Sequence, residues 1–122
     1  MINERKKILV VDDEPGFIEI LRGRFETRYE LFDAQDGEAG IRAAIQEKPD
    51  LILLDIVMPK MSGYETLKKL KAHTDTRDIP VVMLTSVTET SAIDQARELG
   101  MADYLIKPLH LEELPAVLLR YA

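Results

Sequence analysis

Apolar and polar positions alternate along this chain in two rhythms. Three runs, Ile8–Val11, Leu51–Leu54 and Val81–Leu84, are apolar at every position. Such runs fit strands buried on both faces of a parallel sheet. A fourth, about Tyr29 to Ala34, is interrupted by Glu30 and Asp33, and Tyr104–Ile106 is a fifth. Between the runs the apolar residues recur at helical spacing. Pro15 suits a first helical turn and precedes a stripe of Phe17/Ile18, Leu21 and Phe25. A second helix follows Asp36-Gly37, carries Ile41, Ala44 and Ile45 on one face, and is stopped by Pro49. After the Pro59–Gly63 loop, a third turns Tyr64, Leu67 and Leu70 inward and Lys68, Lys69 and Lys71 outward as a solvated face. The fourth shows Ala92/Ile93, Ala96 and Leu99, and Gly100 is a natural left-handed cap. Leu111, Leu114, Leu118 and Tyr121 line the last helix. Pro115 cannot donate to the carbonyl four residues back, so that helix should start late or bend.

The elements spell (βα)₅, an α/β fold with helices on both faces of a doubly wound parallel five-stranded sheet. Strands one, three and four belong in the middle, and charged strand two belongs at an edge. The order 2-1-3-4-5, flavodoxin-like, satisfies both and puts the topological switch between strands one and three. At 122 residues the chain reads as a single domain over 1–122, with no repeat or linker.

Composition narrows the function. The formal charge is −6, which disfavours direct nucleic-acid binding by this domain and binding to anionic membranes. With no cysteine there is neither a disulfide framework nor a thiolate metal site. No run approaches membrane-spanning length, and the apolar stretch after Arg5-Lys6-Lys7 is cut by Asp12-Asp13. A soluble, cytoplasmic domain is expected.

The candidate chemistry lies at the strand ends. Asp12 and Asp13 follow strand one, Asp55 follows strand three, Thr85 and Ser86 follow strand four, and Lys107 follows strand five. In a parallel sheet all carboxyl ends share one edge, so these residues converge from nearly the whole sequence. Three carboxylates together repel unless a cation intervenes. Oxygen-only ligands point to a hard ion, and a shallow site that keeps several waters suits Mg²⁺. A carboxylate beside such an ion, a lysine and a hydroxyl forms a site built to receive a phosphoryl group.

These residues, in their order and spacing, resemble the receiver domain of bacterial two-component response regulators. The resemblance runs through Val10-Val11-Asp12-Asp13-Glu14-Pro15, Asp36-Gly37-Glu38-Ala39 and Leu54-Asp55-Ile56-Val57-Met58-Pro59-Lys60-Met61-Ser62-Gly63. It continues through Ile79-Pro80-Val81-Val82-Met83-Leu84-Thr85 and ends with Asp103-Tyr104-Leu105-Ile106-Lys107-Pro108. It implies that Asp55 is the phosphoacceptor and that Asp13 is a direct Mg²⁺ ligand. Asp12 would act mainly through metal-bound water, and Val57 would offer its backbone carbonyl. Thr85 and Lys107 would contact the phosphoryl oxygens, and Tyr104 matches the switch aromatic. A cis Lys107-Pro108 bond is also implied. The partners implied are a sensor histidine kinase or phosphotransfer protein, with a small phosphodonor as a substitute, and an unspecified output partner or domain. A homodimer through the face of the last two helices is an option. The domain would catalyse only its own phosphorylation and dephosphorylation and is not expected to be a turnover enzyme.

Taken singly, the same residues have plainer readings. Asp12-Asp13 could cap the first helix, Thr85-Ser86 could be turn chemistry, and Lys107 and Tyr104 could be an exposed loop residue and a half-buried strand aromatic. Met101-Ala102, where the family commonly has Ala-Asp, reads as a neutral loop variation. Two rival functions compete: a phosphatase or phosphotransferase that also uses a strand-end Asp nucleophile and Mg²⁺, and an interaction module that keeps the fold without the chemistry. A haloacid-dehalogenase-type phosphatase needs a second acid two residues past the nucleophile, and Val57 stands there. A constitutive interaction module would lack an acid, the threonine or the lysine, and all are present.

The resemblance also implies that the residues two past the phosphoacceptor and two past the hydroxyl residue, here Val57 and Val87, flank the approach of the water that would hydrolyse an aspartyl phosphate at Asp55. Neither can orient that water, and losing one positioned polar contact costs on the order of tenfold or more in rate. A long-lived phosphorylated state is expected. In a dephosphorylation time course, Val57→Asn combined with Val87→Glu should decay faster than the wild type; equal rates would mean the valines do not gate the water.

Overall fold

Alternation of side chains along the three apolar strands divides the core into two layers. The structure, a computed structural model, describes residues 5–86, 90–107 and 111–122. Strand β1 (Lys6–Val11) pairs in parallel with β2 (Tyr29–Ala34) on one side and β3 (Leu51–Asp55) on the other. Beyond β3 lie β4 (Val81–Thr85) and β5 (Asp103–Ile106), which gives the expected order 2-1-3-4-5. Leu9, Val11, Ile52, Leu54, Val81 and Met83 face one helical layer, and Ile8, Val10, Leu51, Leu53, Val82 and Leu84 face the other. Helices α2 (Gly37–Glu47), α3 (Gly63–Ala72) and α4 (Thr90–Glu98) cover the first face through Ala44, Leu67, Leu70 and Ala96. Helices α1 (Pro15–Phe25) and α5 (Leu114–Tyr121) cover the second through Ile18, Leu21, Phe25, Leu114 and Leu118.

Local signals set most element ends. Asp36 caps α2 by accepting from the Ala39 N–H at 2.8 Å, and Ser62 caps α3 by accepting from Glu65 at 3.2 Å. Gly100 sits at φ 103°, the left-handed conformation expected after α4. Pro115 delays the last helix as anticipated. Leu111–Glu113 form a 3₁₀ turn, and α5 then begins with the proline in its first turn, where its missing N–H costs nothing.

Three readings need correction. The buried face of α2 is centred on Gly37, Gly40 and Ala44, with Ile41 flanking it and Ile45 only half-buried. Apolar periodicity cannot register glycines used for close approach; a Cβ at Gly40 would stand 2.9 Å from a Val11 methyl. Lys71 is not part of a solvated face. Its ammonium donates to the Ile79 carbonyl at 2.7 Å and the Arg77 carbonyl at 3.1 Å, and burial draws its pKa below the ordinary value despite the nearby Asp78 carboxylate. Met101 lies in a loop, as read, but its side chain belongs to the same buried cluster as Ala96.

Gly63 bears on the site. Its N–H donates to the Ile56 carbonyl at 2.7 Å, and a Cβ there would strike the Asp55 carbonyl oxygen and lie 2.6 Å from Ile56 Cα. Both obstacles are backbone and cannot rotate away. Gly63→Ala should therefore destabilise the fold by roughly 1–3 kcal/mol or more. Gly23, exposed within α1 and with open space around it, is the counterpart; Gly23→Ala should stabilise by about 0.5–1 kcal/mol. Urea midpoints that shift in these opposite directions would confirm the assignment, and an unshifted Gly63→Ala midpoint would contradict it.

Candidate functional site

Parallel pairing carries the predicted residues to one edge. At the end of β1 the Asp12 N–H donates to the Ala34 carbonyl at 3.0 Å. Asp12 Oδ1 then accepts the Glu14 N–H at 2.9 Å, which turns the chain toward α1. This is a turn before the helix rather than a cap, since the N-cap of α1 is Glu14 and no side chain caps it. The other Asp12 oxygen, Oδ2, accepts from Lys107 Nζ at 2.9 Å.

Asp55 is the last residue of β3 and lies beside Leu84 of β4. Oδ1 accepts the Val57 N–H at 3.2 Å, and Oδ2 accepts from Lys107 Nζ at 3.1 Å. Thr85 ends β4 and is buried. Its carbonyl accepts the Lys107 N–H at 2.7 Å, which sets the lysine backbone against the threonine. Asp12 and Asp55 are buried, at 6% and 5% exposure, whereas Asp13 is exposed.

One ammonium therefore serves two buried carboxylates. Burial raises the Asp55 pKa above its ordinary 3.8, and the neighbouring Asp12 charge adds to the rise. The Lys107 ammonium and the Val57 N–H oppose it without cancelling it. For Lys107, burial favours the neutral amine, but Asp12 and Asp55 outweigh burial and raise its pKa. Glu14 Oε1 adds a weaker ion pair at 3.7 Å.

The residues form the floor and rim of a cleft of about 770 Å³ lined in part by Asp13, Glu14, Phe17, Asp55, Val57 and Lys107. Val57 is 64% exposed on this rim. Val87 and Pro108, on which the second flanking position and the cis bond depend, lie outside the described residues. Tyr104 is half-buried beside the α2–α3–α4 layer rather than at the carboxylates. Two rim residues were not picked out as site residues. Glu14 stood only in a motif, and Phe17 was counted as helix stripe, although Lys107 Nζ lies 5.7 Å from its ring centroid. Nothing in sequence spacing could connect positions 17 and 107.

The donor set suits a hard divalent cation. Asp12, Asp13 and Asp55 each place a carboxylate oxygen within 4.8 Å of the others, with no nitrogen or sulfur ligand in the group. Two buried carboxylates and an exposed third outnumber the lysine, so the cluster retains negative charge that a cation would neutralise.

The family profile of the response regulator receiver domain matches residues 8–119. Among sequence relatives, the alkaline phosphatase synthesis transcriptional regulatory protein PhoP of Bacillus subtilis is 40% identical over 112 residues, covering 91% of this chain and 46% of its own length. This chain thus spans about half the length of the curated relatives it matches. Among solved structures, the Vibrio cholerae chemotaxis protein CheY4 superimposes with a TM-score of 0.89 at 28% identity, over 97% of this chain and 99% of that one. The receiver domain of the sensor histidine kinase PA1611 from Pseudomonas aeruginosa, with a magnesium ion coordinated in its active-site cleft, gives 0.86 at 28% identity over 96% and 97%.

The charge imbalance predicts a stability signature. A carboxyl whose folded pKa is raised holds its proton more tightly folded than unfolded. Stability is thus lost as pH rises from the ordinary value through the raised one. In chelator at pH 7, Asp55→Asn should melt a few degrees above wild type, corresponding to about 1 kcal/mol. Saturating Mg²⁺ should raise the wild-type melt by mass action and the Asp55→Asn melt less. A variant that melts below wild type in chelator would contradict the assignment.

Proposed function

Because this chain belongs to the response regulator receiver family, we propose that it is a phosphorylation-activated switch in two-component signalling, with Asp55 accepting the phosphoryl group. The observation that carries the reading is the convergence of Asp55 Oδ2 and Asp12 Oδ2 on the single Lys107 ammonium, at 3.1 and 2.9 Å, at the floor of an open cleft.

In the proposed transfer, an Asp55 carboxylate oxygen attacks phosphorus in line with the leaving group. The new P–O bond forms as the P–N bond of a donor phosphohistidine breaks, and the electron pair departs on the imidazole. With a small acyl phosphate as donor, the breaking bond is P–O and the pair leaves on the donor's carboxylate. Burial raises the pKa of Asp55, which makes its anion more basic than that of an exposed aspartate. Asp12, Asp13, Asp55 and the Val57 carbonyl would hold Mg²⁺. When bound, the ion supplies positive charge to the transferring phosphoryl oxygens. Lys107 supplies a second positive charge from the β5 side, and the Thr85 hydroxyl is the candidate donor to a third oxygen.

A sensor histidine kinase or phosphotransfer protein fits as donor. Phosphorylation would bias the loop-and-helix surface around Thr85 and Tyr104, with the aromatic turning inward, and so convert a local charge event into a binding event. Relatives named as transcriptional regulators support an output directed at gene expression. That output would come from a partner or from chain outside these residues, since a charge of −6 disfavours nucleic acid here. No helix among the described residues is long and apolar enough to cross a membrane, which agrees with a cytoplasmic switch. We propose no chemistry beyond the domain's own phosphorylation and dephosphorylation.

The test is intact mass after incubation with acetyl phosphate and Mg²⁺. Wild type should gain one phosphoryl group, and Asp55→Asn, which has no nucleophilic carboxylate, should gain none. Lys107→Ala should be phosphorylated more slowly while retaining most of its Mg²⁺ affinity. An unchanged mass gain in Asp55→Asn would move the phosphoacceptor elsewhere.

A further inference from the structure

The anchors of Lys107 have an unusual weakness. Among the described residues its ionic partners are all carboxylates: Asp12 Oδ2 at 2.9 Å, Asp55 Oδ2 at 3.1 Å and Glu14 Oε1 at 3.7 Å. Two of them, Asp12 and Asp55, belong to the group of acids that could hold a cation. A cation bound there draws on the charge that holds the lysine, and phosphorylation consumes the Asp55 carboxylate itself. The lysine is thus less firmly held once a cation has bound and before phosphoryl oxygens offer it a new partner.

The contact with Phe17 does not depend on those charges. Lys107 Nζ lies 5.7 Å from the centroid of the Phe17 ring, within the range at which a ring face attracts an ammonium. Phe17 is the third residue of α1, half-buried against the α1–α5 side of the core, and it shares the cleft wall with Lys107 and Leu111. Helix packing therefore fixes the ring while its quadrupole acts on the cation. An aliphatic residue would fill the same space but offer the ammonium no attraction.

We propose that Phe17 is a positioning residue for Lys107, its ring keeping the ammonium in the cleft when a divalent cation claims the carboxylates and before a phosphoryl group arrives. The proposal rests on Asp55 being phosphorylated, and it adds to that reading a residue on a different element that acts through ring electronics.

The experiment replaces Phe17 with phenylalanines of stepwise increasing fluorination, which keep the ring's shape while draining negative charge from its face. Phosphorylation by acetyl phosphate in saturating Mg²⁺, followed by intact mass, should slow monotonically along the series. The total loss should reach roughly three- to tenfold, and Phe17→Leu should match the most fluorinated ring. Phe17→Trp, with the strongest ring face, should retain the rate if it fits, and melting temperatures across the fluorinated series should stay level. A second readout is independent of phosphorylation. In NMR spectra the Lys107 ε-methylene protons should be shifted upfield by the ring current in wild type and relax to ordinary positions in Phe17→Leu. A flat fluorination series, or Lys107 ε-protons at the same positions in wild type and Phe17→Leu, overturns the proposal. A wild type that never gains a phosphoryl group instead defeats the functional reading beneath it, and the NMR comparison then still decides whether Phe17 holds Lys107.

Discussion

The carboxyl edge of this sheet is organised by an unequal ion pair, with one lysine shared between two buried aspartates. Burying a carboxylate is costly unless a partner compensates for it, and here a single ammonium compensates twice at close range. Asp55 therefore sits in the fold with its charge only partly satisfied. That is a poor arrangement for stability and a good one for a switch. Any species that brings positive charge, or removes the negative charge of Asp55, relaxes a stress that the rest of the domain holds in place.

That stress persists because the scaffold beneath it is rigid. β1, β3 and β4 are buried on both faces, and their register carries Asp12, Asp55 and Thr85 to one edge. Around the edge the backbone is packed without slack. Gly63 lets the β3–α3 connection fold back onto the carbonyl of Asp55, and Gly40 lets α2 lie against Val11. Gly37 brings α2 to within 2.9 Å of the Met61 sulfur, counted from the Cβ it lacks. Movement of the loop that carries Val57 would thus be felt in α2 and α3. Such coupling through close contacts is what allows a local change of charge to reach a distant surface.

The opposite end of the sheet is tied by different means. Lys71 caps the Arg77 and Ile79 carbonyls, and buried Thr76 donates its hydroxyl to the Leu70 carbonyl at 2.6 Å. Tyr121 anchors the end of α5 by donating to Asp103 at 2.9 Å. The first two contacts satisfy loop and helix-end carbonyls, and the third holds α5 against the start of β5. Stability is thus concentrated at the amino ends of the strands and chemical responsiveness at the carboxyl ends.

Element order, strand order and the acids at the strand ends were legible from the sequence because they follow from short-range rules. A fully apolar run demands burial on both faces, a charged run demands an edge, and parallel pairing sends every carboxyl end to one side. Pro115 and Gly100 were readable for the same reason, since backbone chemistry acts within a few residues. Only the tertiary structure decided the rest. Which face of α2 is buried depended on glycines whose role is the absence of a side chain. That Lys71 caps a loop, and that Phe17 of α1 faces Lys107 beyond β5, depended on contacts between residues separated in sequence. The division of Asp12 between a turn and an ion pair was decided the same way, because each oxygen of a carboxylate finds its partner only once the strands are side by side.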